Sequence, residues 1–265
     1  MLFDYRIHDP QNSNTNMDSV IDFTLNISGK AIPLGLGFKN CEGKLSQFVP
    51  LAHKISDIIT DITLKSQNEK RCKISCRKGC SACCNYIIPL SSAEAVYLHD
   101  YTITLPDKTR KMIVRSFMLA AQKIASSQIP KLADKTIAQL DNLEGISQWY
   151  RQLQLQCPFL FANCCSIYNH RPLACREYFV TSPPKYCKPE ASGNQATLIL
   201  PFSIAEILMD VSNSIEDTSD EAIILPLTMF WYSMNKKRTE ETFPTGQLAE
   251  RFVQVLTAPK NLQKA

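Results

Sequence analysis

Four cysteines within nine residues form the part of the sequence best suited to chemistry. They are Cys76, Cys80, Cys83 and Cys84. On an α-helix their side chains would fall within an arc of about 100°, so all four could reach one metal. Gly79 could instead break the helix and present the thiols from a turn. Free cysteine also packs well as a small core residue, but so dense a run favours metal binding.

A second group of cysteines follows after two long predicted helices. It consists of Cys157, Cys164, Cys165, Cys175 and Cys187. Pro172 suits the first turn of a short helix, because a proline there forgoes no hydrogen bond. Cys175 would then lie near the helix start, where the partial positive charge favours a thiolate. We therefore predict that residues 76–84 and 157–187 meet at one metal site.

The composition narrows the class of protein. The chain has 265 residues, of which 45% are hydrophobic, and its net charge of +4 demands no nucleic-acid partner. No apolar run approaches the ~20 residues that cross a bilayer, and the N-terminus lacks a signal-peptide core. The eleven cysteines are odd in number and include two adjacent pairs, which argues against a disulfide framework. We predict a cytoplasmic protein, away from membranes, whose thiols serve metal or redox chemistry.

The two cysteine regions together resemble the YkgJ-type cysteine-cluster family, a zinc- or iron-chelating domain. The first region reads Cys-x3-Cys-x2-Cys-Cys, and the second reads Cys-Pro-Phe-Leu…Cys-x-Ile-Tyr-x2-Arg-Pro-x2-Cys-Arg-x-Tyr. The resemblance covers residues 70–190. It implies the following metal ligands: Cys76, Cys80, Cys83, Cys84, Cys157, Cys165, Cys175 and Cys187. Cys41, Cys72 and Cys164 fall outside the pattern.

The same family includes flagellin lysine N-methylases. This membership implies that a relative can use S-adenosylmethionine to methylate lysines of a protein substrate. The sequence itself shows no glycine fingerprint for such a cofactor, since Gly35-Leu36-Gly37 lacks a third glycine and a following helix. We interpret that stretch as a loop. Whether the chain is an enzyme stays open at this point.

The ligand set leaves two metals open. Eight thiolates could form two closed tetrahedral zinc sites, or hold one iron–sulfur cluster with cysteines to spare. Adjacent Cys83 and Cys84 favour a polynuclear centre, and the paired knuckles of zinc ribbons are absent. We therefore expect an iron–sulfur centre that supports redox chemistry or group transfer to a protein partner. The alternative is a structural zinc module that mediates an interaction without catalysis.

Polar neighbours of the second group could assist this site. His170 is a candidate for an additional ligand. Arg171 and Arg176 are candidates for hydrogen bonds to cluster sulfurs or to a bound anion, or for capping helix ends. Tyr168 and Tyr178 suit core positions in which each hydroxyl has one partner.

The elements that position these residues are mostly helical. Alternating apolar residues at 20–27 and 31–36, joined by Ser28-Gly29-Lys30, predict a hairpin after a polar leader at 8–19. Ser91, with Glu94 three residues on, is predicted to cap a helix. Further helices are predicted at residues 46–68, 107–127, 132–155, 203–210, 222–234 and 247–256, and a strand at 196–200.

These patterns together predict an α+β fold, mainly α-helical, with a small N-terminal β-hairpin or sheet. Residues 1–44 would form the polar leader and the β segment. Residues 45–265 would form a mainly helical metal-binding domain, with the metal site between the two cysteine-rich segments.

Overall fold

An antiparallel sheet of three strands forms the N-terminal part of the computed structural model, which describes residues 2–7, 17–69, 73–127, 143–188 and 195–258. Its strands are β1 (Phe3–Ile7), β2 (Ser19–Ile27) and β3 (Lys30–Phe38), in the order β1-β3-β2. The predicted hairpin is confirmed, and it turns at Ser28 and Gly29, which both have positive φ. Such a two-residue turn matches the twist of its flanking strands.

Strand β3 extends further than the sequence predicts. Gly35 and Gly37 lie inside it, so the interpretation of Gly35-Leu36-Gly37 as a loop was wrong. In this central strand Gly37 lies close to Met17, and a Cβ atom there would come within 2.9 Å of the methionine side chain. Close packing therefore explains a glycine at this position, and no phosphate-binding turn is needed to account for it.

Strand β1 is absent from the sequence prediction, although its apolar residues alternate with Asp4 and Arg6. It pairs along its whole length with β3, from Phe3 opposite Phe38 to Ile7 opposite Leu34. Most of the predicted polar leader, residues 8–16, lies outside the described residues.

Helices make up most of the remaining described chain. They are α1 (Val49–Glu69), α2 (Ser92–Thr104), α3 (Asp107–Ala125), α4 (Leu143–Gln152), α5 (Leu173–Arg176), α6 (Ile204–Ile215), α7 (Thr228–Met234), α8 (Lys236–Glu240) and α9 (Thr245–Leu256). Short 3-10 turns occupy Leu45–Phe48, Tyr168–His170, Pro184–Cys187 and Leu225–Leu227. The mainly helical α+β class is confirmed. Among the helices of these described stretches, none is both long and apolar enough to cross a membrane.

Eight two-residue strands of the described chain form four short antiparallel pairs. They are β4 (Glu42–Gly43), β5 (Pro89–Leu90), β6 (Leu160–Phe161), β7 (Cys164–Cys165), β8 (Phe179–Val180), β9 (Thr197–Leu198), β10 (Ile223–Ile224) and β11 (Phe243–Pro244). Strand β4 pairs with β11, β5 with β10, β6 with β7, and β8 with β9, each time antiparallel.

Most predicted helices are confirmed, with two differences. Residues 222–234 do not form one helix, because β10 pairs with β5 and Pro226 falls in a 3-10 turn before α7 begins at Thr228. Of the predicted helix at 132–155, α4 covers the part from Leu143 to Gln152, and residues 132–142 lie outside the described residues.

The main core lies between the sheet and three helices. Leu25 and Leu36 of the sheet are fully buried against Ile55 of α1, Leu208 of α6 and Phe252 of α9. Burial of apolar surface of this kind is the main source of stability in a domain of this size. The predicted boundary at residue 44 stays a prediction.

A second apolar cluster joins the second cysteine region to α2 and α3. Leu98 of α2 and Phe117 of α3 pack with Phe159, whose ring meets that of Phe117 edge to face at 5.2 Å between centroids. Cys157 and Cys165 border this cluster and are half-buried. Helix packing therefore fixes where these two thiols lie.

Helix α5, which carries Cys175, is held at its start by a buried carboxyl group. Ser91 caps α2 as predicted, since its hydroxyl accepts a hydrogen bond from the Glu94 N–H at 3.2 Å. The Glu94 side chain is 1% exposed and accepts the N–H of Leu173, the first residue of α5, at 2.8 Å. Burial raises the pKa of Glu94 to about 7.

The end of α5 is held by two further polar contacts. The Arg176 guanidinium donates to both carboxylate oxygens of Asp57 on α1, at 2.7 and 3.0 Å. The next residue, Glu177, accepts the Ser56 hydroxyl of α1 at 3.0 Å and the Ile204 N–H at the start of α6 at 2.9 Å. Three longer helices, α1, α2 and α6, therefore position this short one.

Replacing Glu94 by Gln should reduce the pH dependence of the free energy of unfolding. Between the ordinary pKa of 4.5 and the folded pKa of about 7, the folded chain binds more protons than the unfolded chain. The carboxyl group is therefore most favourable to folding below about pH 4.5, and stability is lost as the pH rises toward 7. In urea unfolding, the loss between pH 5 and pH 8 should shrink by about 2 kcal/mol in Glu94→Gln.

Glu206 offers a matched control, because it occupies the same position after the Ser203 cap of α6 but is exposed. Glu206→Gln should leave the pH dependence unchanged. Glu94→Ala should cost about 2 kcal/mol more than Glu94→Gln at both pH values, because it leaves the Leu173 N–H without its acceptor. An unaltered pH dependence in Glu94→Gln would contradict the assignment.

Candidate metal centre

The cysteines of the first region lie on successive turns. The N–H of Cys80 donates to the carbonyl of Arg77, and the N–H of Cys84 donates to that of Ser81, both at 3.0 Å. Gly79 has a φ of 87°, which residues with side chains rarely adopt. Of the two geometries that the sequence allows, the turn at Gly79 is the one observed.

Seven of the eight cysteines in the predicted ligand set line a single cavity of about 140 Å³, here called the thiol cavity. They are Cys76, Cys80, Cys83, Cys84, Cys157, Cys165 and Cys175. Tyr86, Tyr150, Tyr168 and Tyr178 are among the aromatic residues that line it. The fold therefore brings the two cysteine-rich segments together across the helices that separate them in sequence.

Backbone hydrogen bonds join the two segments directly. The N–H of Cys157 donates to the carbonyl of Cys84 at 2.7 Å, and the N–H of Ser75 donates to the carbonyl of Val180 at 2.8 Å. In return, the N–H of Val180 donates to the Cys76 sulfur at 3.3 Å. These contacts fix the cavity wall without any contribution from a metal.

The β6–β7 hairpin separates two adjacent cysteines. Its turn residues, Ala162 and Asn163, both have positive φ, at 48° and 59°. Successive side chains of a strand point to opposite faces. Cys165 accordingly lines the thiol cavity, whereas Cys164 is exposed. Cys41 is also exposed, and Cys72 lies outside the described residues.

Cys187 is the one member of the predicted set that does not line the thiol cavity. It is buried, with 4% of its surface exposed, and its sulfur accepts the side-chain amide of Gln195 at 3.1 Å. Burial raises its pKa, and the charges of Cys83 and Cys80 raise it further. Cys187 therefore lies behind the wall of the cavity, near enough to interact with two of the lining thiols.

Burial raises the pKa of most thiols around the cavity. It raises the pKa of Cys157 to about 12, and it also raises the pKa values of Cys76 and Cys165. At neutral pH these thiols are therefore protonated in the metal-free protein. A metal must displace their protons in order to bind.

Burial also determines the state of Cys175. The sequence predicts that the start of a helix would favour its thiolate, but α5 has only four residues and offers a small dipole. Burial raises the pKa of Cys175 well above its ordinary value, and the charges of Cys157, Cys83 and Cys165 raise it further. Burial therefore outweighs the expected stabilisation of this thiolate by the helix start.

Arg171 acts in the opposite direction. Its guanidinium lies over the ring of Tyr168, 4.2 Å from the centroid, and both residues line the thiol cavity. The hydrogen bond that the Cys83 thiol donates to Cys84, followed by burial, raises the pKa of Cys83, while the positive charge of Arg171 lowers it. A cation in the wall is favourable to a site where negative charge accumulates on sulfur.

The donor set fits a metal that prefers sulfur, but the thiols are not arranged around one. Within the described residues, no group of three Cys, His, Asp or Glu side chains is placed to hold a metal ion. Seven cysteines around one cavity nevertheless supply the soft ligands that zinc and iron–sulfur centres use. Binding requires these thiols to lose their protons and turn toward a common point.

Two polar residues singled out from the sequence, His170 and Arg176, do not line the thiol cavity. The Nδ1 of His170 shares a hydrogen bond of 2.6 Å with the Tyr97 hydroxyl. Arg176 is committed to Asp57 and to the carbonyl of Asn169. The structure therefore does not bring the candidate ligand His170 to the thiols.

Tyr86 and Tyr150 are cavity residues that the sequence analysis does not identify. Tyr86 lies two positions after Cys84, so its closeness to the cysteine run in sequence could have indicated a place at the cavity. Tyr150 lies on the apolar face of α4, and only packing places it at the cavity. The ring of Tyr86 meets that of Tyr178 edge to face at 5.9 Å between centroids.

Comparison with known proteins gives one match. Residues 75–194 match the family model CxxCxxCC, which is described as "Putative zinc- or iron-chelating domain". No curated protein and no solved structure matches the chain closely enough to be called similar. The matched segment contains both cysteine groups and all eight members of the predicted ligand set. Residues 75–194, which make up less than half of the chain, are therefore similar to this family of metal-chelating domains.

Proposed function

We propose that the thiol cavity holds one polynuclear thiolate-ligated centre, an iron–sulfur cluster in preference to mononuclear zinc, and that this centre exchanges electrons with a protein partner. The observation that carries the proposal is that seven cysteines from both segments line a single cavity. Cysteine-ligated iron–sulfur clusters supply one-electron redox chemistry when bound.

Two separate zinc sites would divide the cysteines into independent sets of four. The electrostatic coupling does not divide in this way, because one thiol influences most of the others. When Cys83 is ionised, its charge raises the pKa values of Cys76, Cys157, Cys165, Cys175 and Cys187. This shared coupling favours one larger centre.

A structural role for the metal is less well supported than a functional one. The wall of the thiol cavity is held by the Cys157–Cys84 backbone hydrogen bond and by the packing of Phe159 on Phe117. Helix α5 is held by Glu94 and by the Arg176–Asp57 pair. We infer from these contacts that the fold stands without the metal.

The residues around the cavity suit a redox centre. Aromatic side chains, including Tyr86 and Tyr178, limit the access of water, and Arg171 offsets negative charge on sulfur. Arg77 also lines the cavity and is exposed, as is Lys78 beside it. Two cations at the rim favour a partner whose docking surface is acidic.

Methyl transfer to protein lysines, which the family resemblance implies, gains no support. The glycines closest to a nucleotide-binding fingerprint, Gly35 and Gly37, are part of the central strand β3. A glycine-rich turn that leads from a strand into a helix would be needed for them to approach a nucleoside cofactor closely. We therefore do not extend the proposal to S-adenosylmethionine.

Protein purified without oxygen should be brown and should contain iron and acid-labile sulfide in matched amounts. This outcome follows from one shared centre, whose sulfide ions bridge the iron atoms. The measurements are the visible spectrum together with iron, sulfide and zinc per chain. A colourless protein with stoichiometric zinc would refute the iron–sulfur proposal and support the structural zinc alternative.

Cys175→Ser should weaken metal binding by more than about tenfold, since changes even outside the ligand shell cost that much. Cys164→Ser is the matched control, because it removes an exposed thiol beside Cys165. It should retain full metal content, as should Cys41→Ser. Metal loss in Cys164→Ser equal to that in Cys175→Ser would show that the ligand set is wrong.

Removing the metal by chelation should leave the helical circular dichroism within about a tenth of its starting value, because apolar cores and buried polar contacts hold the fold. A structural zinc site predicts the opposite, since such domains unfold without metal. Collapse of the helical signal on chelation, reversed by zinc, would therefore support the alternative function.

A further inference from the structure

A second cavity adjoins the thiol cavity and shares two residues with it. This outer pocket has a volume of about 360 Å³ and is lined by His53, Lys54 and Asp57 of α1 on one side. Tyr168 and Arg171 form part of its other side, and both also line the thiol cavity. The pocket contains no cysteine, so it is chemically distinct from the proposed metal centre.

The outer pocket contains one cation, Arg171, that has no carboxylate partner within the described residues. Arg176 is neutralised by Asp57, and Lys54 is paired with Asp4 at 2.9 Å. Arg171 has its ring contact with Tyr168, but no carboxylate pairs with it among residues 2–7, 17–69, 73–127, 143–188 and 195–258. A guanidinium presents its donors in a planar fork that matches the oxygens of a carboxylate or phosphate.

His53, one of two histidines that line the pocket, is a neutral hydrogen-bonding group. Burial, followed by the charges of Arg176, His170 and Arg171, lowers the pKa of His53 to about 3. His53 is 7% exposed, and its Nε2 has no hydrogen-bond partner in the described structure. A buried polar atom without a partner is costly and calls for an explanation in the form of a water, an ion or a ligand.

His170, which precedes Arg171 in the chain, also lines the outer pocket. Its Nδ1 is engaged by the Tyr97 hydroxyl, and its ring stacks on Tyr101 at 3.9 Å between centroids. When the Tyr97 hydroxyl donates to Nδ1, the imidazole proton resides on Nε2. The ring is thus fixed by two contacts and leaves one N–H for a ligand.

We propose that the outer pocket binds a small oxyanion, a carboxylate or a phosphate, through the Arg171 guanidinium with the help of His170. Such an anion neutralises the only cation of the pocket that lacks a carboxylate partner within the described residues. The proposal concerns a site separate from the thiols, so it does not depend on which metal the thiol cavity holds.

Isothermal titration calorimetry on the full chain, purified without oxygen and kept at low ionic strength, tests this proposal. Inorganic phosphate and acetate are titrated separately. Each anion that the outer pocket binds should give saturable heat. Binding of phosphate alone identifies a phosphate site, and binding of acetate identifies a carboxylate site. Absence of saturable heat with both anions overturns the proposal.

Arg171→Gln should weaken the accepted anion by at least about tenfold, because a charge-assisted hydrogen bond is lost. Arg151→Gln is the matched control, since Arg151 also lies over a tyrosine ring, 5.3 Å from the centroid of Tyr86, but does not line the outer pocket. It should keep the affinity of the unmodified chain. Equal losses in the two variants would overturn the proposal by revealing a general charge effect.

If circular dichroism shows that Arg171→Gln does not fold, Arg171→Lys is used in its place. It retains the charge but loses the fork, so affinity should fall several-fold, and an unchanged affinity overturns the proposal. Metal content is measured on the same samples. Retained anion binding in a colourless, zinc-containing protein would refute the iron–sulfur proposal alone, whereas a brown protein without anion binding would refute this inference alone.

Discussion

Buried carboxyl groups at helix starts hold the geometry of the thiol cavity. Glu94 and Glu177 each accept a backbone N–H of a helix, and each is surrounded by protein, which raises both pKa values to about 7. Burial of these groups is costly, but loss of either acceptor would leave donors unpaired inside the protein. Leu173 and Ile204 therefore have fixed positions. Because Cys175 lies two residues after Leu173 in α5, its position is fixed as well.

This anchoring sets up a competition at the thiols. Apolar and aromatic neighbours place Cys157 and Cys175 where burial favours the neutral form, while metal binding requires the thiolate. The free energy of metal binding must therefore include the release of several protons. Arg171 reduces that cost for Cys175, since its charge lowers the pKa. The apolar clusters and buried polar contacts hold the thiols in this unfavourable state.

Local signals allowed the sequence to predict the hairpin, the Ser91 cap and most helices, because each depends on neighbours along the chain. The two cysteine regions were also recognisable, since spacing alone identifies them. The position of Cys187 behind the wall and the role of Glu177 depend on contacts between distant segments. The strand through Gly35 and Gly37 was missed for the same reason, because the pairing of β3 with β1 and β2 outweighs the turn preference of glycine.

The shared wall of Tyr168 and Arg171 gives the two cavities a physical connection. A single guanidinium faces thiols on one side and a polar pocket on the other, so any anion in the outer pocket acts on the charge that the thiols experience. Coulombic effects over such short distances are substantial when water is largely excluded. Since Arg171 stacks on Tyr168, the cation cannot leave this position without losing that contact. The wall therefore links occupancy of one cavity to the charge balance of the other.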